Sequence, residues 1–323
     1  MSQRVAGFFA AVVFAIACMG AQADELADKG RQILEKHRLA VVTIKLVIKQ
    51  QISMPGFGSQ DMEDKAEVTG TVVDPSGLTV VALSETDPTS MFQNMAEMSG
   101  EDMQGLEMNS QVSDLKILTE DGTEIPGQIV LRDKDLDLAF VRPLEAPKEP
   151  LPAVDLANAG NPQILDPLIT INRLGRVAGR AYSCSIERVD SVVTKPRTLY
   201  IPGNDPTQTG LGSPVFTLDG QLVGLMVMRS VKGGSGMMSM MRGMGDMSMA
   251  VIVPSADIAE VAAQAPAAGE EVKELGTEEP APAEEPAAEG TEDTSQPSEE
   301  QKSEEAPTEP GDAPSQETPA TGV

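Results

Sequence analysis

The sequence predicts an all-β protein built as a pair of antiparallel barrels. Three observations carry that reading: many short runs alternate apolar and polar residues, turn residues separate them at regular spacing, and a proline-rich stretch divides them into two similar halves.

Before the first strand, Arg4, the apolar run Ala6 to Met19 and the small-x-small triplet Ala21-Gln22-Ala23 read as an export signal, residues 1–23, cleaved before Asp24. The rival at this point is lipidation of Cys18, which sits in a loose lipobox. No later stretch is long and apolar enough to span a bilayer. Cleavage leaves Cys184 as the single cysteine, so no internal disulfide is expected. Cys184 reads as a small buried hydrophobe in a strand.

Residues 24–39 carry helical spacing, with Leu26, Ile33 and Leu34 on one side. The period then shifts to two: Val42, Ile44, Leu46 and Ile48 alternate with polar residues. Runs over 68–73 and 78–83 flank Asp74-Pro75-Ser76-Gly77, whose proline and glycine suit a type I turn. Runs over 115–119 and 124–131 flank Asp121-Gly122, a hairpin signal, and 138–141 closes the first half. Thus 40–147 reads as the first barrel. After the proline-rich crossing, 148–263 reads as the second, with strands over 168–171, 181–186, 191–194, 199–201, 215–218, 221–228 and 249–253. Ser255 is a candidate N-cap for a closing helix.

The net charge is −26. Residues 264–323 hold 17 acidic residues against Lys273 and Lys302, so −15 of it lies in a Glu/Pro/Ala-rich tail that is expected to be disordered. Such a chain repels phosphate backbones and shows no basic stripe, which argues against nucleic acid as a partner.

Four collinear segments resemble the HtrA/Deg branch of the trypsin-like serine peptidases. They are Asp74 to Gly77, Glu120 to Val141 with its Asp137-Leu138-Ala139, Gly212 to Leu225, and Ala250 to Ser255. The resemblance spans about residues 40 to 262. It implies two six-stranded Greek-key barrels of the chymotrypsin-like kind with a peptide groove between them. No PDZ-like segment follows the barrels, unlike much of that family.

The resemblance also implies where a catalytic triad would stand. Ser84, seven residues after the turn glycine, occupies the histidine position. Asp137 retains the aspartate, and Leu211 falls on the nucleophile position. A serine nucleophile needs an imidazole to take its proton and a carboxylate to orient that imidazole. Leucine has no lone pair, and a serine hydroxyl is no base near neutral pH. The expectation is therefore a peptidase-fold protein without catalysis, holding an extended peptide along Leu225 to Arg229 as an added strand. An active endopeptidase using Ser213 is the alternative. The lone histidine, His37, reads as a solvated helix residue.

Two methionine-rich segments, Met91 to Met108 and Met237 to Met249, read as surface loops. The second places Met237, Met238, Met240, Met241, Met244, Met247 and Met249 within thirteen residues. Contact with apolar peptides is its second reading, and a soft-metal site its third. No cofactor is expected.

Overall fold

The computed structural model describes residues 25–54, 58–87, 89, 107–203, 210–230 and 248–267. The signal segment, the acidic tail from 268 and most of both methionine-rich segments lie outside the described residues.

A helix over residues 25–37 (α1) passes through a short 3-10 turn, Arg38–Ala40, into the first barrel. That barrel comprises β1 (Val41–Met54), β2 (Gly58–Val72), β3 (Thr79–Ala82), β4 (Glu107–Leu118), β5 (Glu124–Asp133) and β6 (Leu138–Pro143). A four-residue helix, α2 (Leu83–Thr86), follows β3. The second barrel comprises β7 (Pro167–Arg173), β8 (Tyr182–Val193), β9 (Leu199–Pro202), β10 (Pro214–Thr217), β11 (Leu222–Ser230) and β12 (Ser248–Pro254). Each barrel is closed and antiparallel, in the orders β1-β2-β3-β6-β5-β4 and β10-β11-β12-β9-β8-β7. The closing helix is α3 (Ser255–Ala262).

Strand alternation explains how the two barrels share a core. On β3, Val81 points into the first barrel with Ile44, Ile117 and Val141, whereas Val80 joins a separate cluster. On β6, Ala139 and Phe140 divide in the same way. That separate cluster unites Val80, Leu138 and Phe140 with Ile169, Phe216 and Leu225 of the second barrel, and with Ile33 of α1 and Ile258 of α3. Strands buried on both faces read as continuous apolar runs, as Thr79–Ala82 does. Phe140 and Phe216 are each fully buried, and emptying either site costs roughly 3–5 kcal/mol.

Several strands depart from their sequence-predicted limits. β1 and β2 run far beyond 42–48 and 68–73, pairing without a break from Val41↔Thr71 to Met54↔Gly58. β4 begins at Glu107, so Met108 belongs to a strand and not to a surface loop. This outer pairing rests on backbone hydrogen bonds between mostly polar residues, which leave no period-two apolar signal. The runs 181–186 and 191–194 form one strand, β8, with a register shift between Val189 and Ser191.

The facing of β8 also overturns the reading of Cys184. Val189 is buried in the second-barrel core, so Glu187 points inward with it, and Cys184, Ile186 and Arg188 point outward. The exposed Cys184 lies against α1, its thiol 3.8 Å from the Gly30 carbonyl. Ser255 is buried as the first residue of α3, not its N-cap; Pro254 holds that position, with no side-chain cap.

Candidate functional site

Three chain segments converge where the barrels meet. The β3 strand delivers Ser84 on α2. The four-residue turn between β5 and β6 delivers Asp137 in the left-handed region, φ 56°. Asp137 is held there partly because its carbonyl accepts from the Leu83 N–H at 2.9 Å. Its carboxylate then accepts three bonds: from the Ser84 N–H at 2.7 Å, from the Ser84 hydroxyl at 2.9 Å, and from the Met228 N–H of β11 at 3.0 Å. The serine and aspartate paired by sequence spacing are thus direct partners.

Glu85, adjacent in sequence, was not singled out by sequence reasoning. The residue is partly exposed, but Oε2 is closed off from solvent and has no hydrogen-bond partner among the described residues. Burial pushes its carboxyl up to about 8, and the charge of Asp137 adds to that rise. Burial lifts Asp137 as well, against the pull of the bonds from Ser84 and Met228. No local pattern marks a buried glutamate, because Ser-Glu in a short helix is ordinary surface sequence.

The loop before β10 supplies the third segment. Gly212 donates to the Met226 carbonyl at 2.7 Å, and Met226 donates to the Ser213 carbonyl at 3.0 Å. The Gly212 carbonyl accepts from the Thr71 hydroxyl of the first barrel at 2.7 Å. Gly212 needs φ 77°, and a Cβ there would lie 2.2 Å from the Thr69 carbonyl oxygen, so only glycine lets the loop approach the first barrel this closely. Leu211, partly buried, packs on the second-barrel core cluster that includes Leu168 and Val215. Ser213 is 0% exposed, with no partner for its hydroxyl among the described residues.

β11 ties these segments together, since Met226 holds the Gly212 loop and Met228, two residues on, holds Asp137. The alternation of β11 turns Met226, Met228 and Ser230 away from β12. The Met228 carbonyl and the backbone of Ser230 thus lie on the side of β11 away from β12, the side on which the Met228 N–H meets Asp137. Leu225 is already paired with Pro214 and Val253.

His37 is placed elsewhere. It ends α1 half-buried, its ring stacked at 4.4 Å on Phe216, and so is not the solvated residue expected. Burial lowers its pKa, and Lys36 lowers it further. Among the described residues, no group of three or more His, Cys, Asp or Glu side chains is arranged to hold a metal ion. Met237, Met238, Met240, Met241, Met244 and Met247 lie outside the described residues.

Residues 68–225 match the family model of the trypsin-like peptidase domain. The fold is that of a trypsin-like peptidase. The matched stretch runs from β2 into β11 and takes in Ser84, Asp137 and Leu211. No curated protein matches the chain.

Other polar bonds fix the two trypsin-like barrels against each other around this site. The Thr69 hydroxyl donates to Asn172 Oδ1 at 2.7 Å, out of solvent. The Arg180 guanidinium grips Glu67 through two bonds, at 2.7 and 3.0 Å, and holds that carboxyl below its ordinary range.

Proposed function

We propose that this chain is an exported, non-catalytic peptidase-fold protein whose inter-barrel cleft receives an extended segment of a partner. The carrying observation is the Ser84 hydroxyl bonded to Asp137, where an imidazole would have to stand for a trypsin-like reaction. A hydroxyl committed as donor to a carboxylate cannot take a proton from a nucleophile. Leu211, packed on the second-barrel core, offers nothing to be deprotonated. The Met228 carbonyl and the Ser230 backbone, on the side of β11 away from β12, are groups of the kind an extended peptide uses when it adds itself to a strand.

The test uses the purified full chain beside a Ser213→Ala variant, in casein hydrolysis and in labelling by a fluorophosphonate probe. Neither protein should cleave casein or take the label. Hydrolysis lost in the variant would establish Ser213 as a nucleophile and overturn the proposal. The groove is tested separately with a library of extended peptides, where an absence of any binder removes it. Export is tested by N-terminal sequencing of chain made in a bacterial host, with Asp24 as the expected first residue.

A further inference from the structure

A recessed surface lies at one end of the first barrel, between Val42, Val72 and the segment after β6. The chain leaves β6 and crosses this opening as a proline-rich strap over residues 144–152. Two backbone bonds fix the ends of the strap, from Leu144 to the Pro126 carbonyl and from Leu151 to the Pro75 carbonyl, both 2.9 Å. Between them Pro147 and Pro150 stiffen a bridge that does not collapse onto the barrel, leaving a cleft of about 820 Å³. Val42 and Val72 form part of its lining. Two large apolar side chains at the cleft are left open to water, Leu39 at 41% and Leu144 at 49% exposure.

The charge around this apolar opening is mostly negative. Glu120, Asp121, Glu145 and Glu149 line it, and Lys148 is the single base among the lining residues. Arg38 offsets Glu120, to which it is bonded, but Glu145 and Glu149 stand exposed on the strap. A cleft with an apolar lining and a carboxylate rim selects an occupant with an apolar anchor flanked by positive charge. The chain's own acidic tail has the wrong sign, at −15 from residue 264 onward. A second copy of the chain, at −26, is repelled for the same reason. We propose that this cleft docks a basic segment of a partner protein, with a leucine-like side chain under the strap and Lys or Arg against the strap carboxylates.

The proposal is tested on the full chain with a short fluorescein-labelled peptide of repeated Lys-Leu-Leu-Lys units that carries a benzophenone. Its counterpart has Glu in place of Lys. The basic peptide should bind in low salt, and the Glu peptide should not. The double variant Glu145→Lys with Glu149→Lys changes only exposed strap residues and should weaken binding by about tenfold, an effect that shrinks at high salt. Cross-links mapped by mass spectrometry should fall on residues 119–126 and 144–152. Cross-links confined to the tail, or equal affinity in the double variant, would overturn the proposal. Self-association of the chain that occupies the cleft without peptide and is altered by the double variant would assign it to a second copy and also overturn it. The inter-barrel cleft shares none of these residues, so its peptide tests and these fail or succeed independently.

Discussion

Replacing Glu85 by glutamine should remove a large loss of stability that sets in as pH rises above 4.5. In the folded protein Oε2 of the carboxyl is closed off from water, without a partner among the described residues, and burial together with the nearby Asp137 charge holds its ionisation near pH 8 against an ordinary value of 4.5. Below pH 4.5 the folded and unfolded chains both carry the proton, and the group costs nothing. As pH rises further, the unfolded chain releases the proton while the fold retains it, so stability falls until the folded group ionises as well. At 1.36 kcal/mol per pH unit, the span from 4.5 to about 8 amounts to about 5 kcal/mol lost by pH 8 and above. Glutamine has nearly the shape of the protonated acid and does not titrate. Urea denaturation across pH 4 to 9 should give similar stabilities at the acid end and a variant several kcal/mol more stable at the alkaline end. Parallel profiles for the two proteins would refute the reasoning, since they would mean that the Glu85 carboxyl reaches water in the folded state.

Asp137→Ala strands the Ser84 N–H, the Ser84 hydroxyl and the Met228 N–H together, and urea titration should show a loss of about 2–4 kcal/mol, against about 1 kcal/mol for Ser84→Ala. Gly212→Ala meets the Thr69 carbonyl at a positive φ and should cost at least about 2 kcal/mol, whereas Gly122→Ala, at φ 86° in open space, should cost about 1 kcal/mol by the same assay. The Cys184 thiol, on an exposed residue but partly desolvated where it lies against α1, is held above its ordinary pKa, so iodoacetamide at pH 8 should alkylate the native chain several-fold more slowly than the urea-unfolded chain; equal rates would contradict that environment.

What could be read from the sequence tracked where the fold relies on side-chain pattern. The Asp74–Gly77 turn was legible because proline and glycine fix its backbone, and Gly77 donates to the Asp74 carbonyl at 2.9 Å as that turn requires. Ser84 and Asp137 could be matched by counting from that turn and from the Asp-Leu-Ala triplet. The inward face of β8 was not legible, because Cys184 and Ile186 look like core and Glu187 does not. Its facing is set by Val189, three to five residues away, and a single-residue slip reverses every side chain. Glu85 escaped notice for a related reason: burial of a carboxyl is a property of what packs over α2, not of the residues within it.

The shared stretch of β1, β2 and β4 carries a consequence for how the protein behaves when crowded. A closed barrel has no strand edges, but these three strands outrun theirs. Among the described residues, β2 pairs with β3 only at Thr71 and Val72, which leaves the outer flank of β2 without a strand neighbour along most of its length. A bare flank of that kind is a template on which another chain can grow a strand. Here it bears Asp61, Glu63, Asp64, Lys65 and Glu67, so an incoming copy would have to set the same acids beside these across less than 5 Å. That flank of β2 is thereby insulated against stacking on itself, and the surplus of acid it carries keeps the molecules apart there.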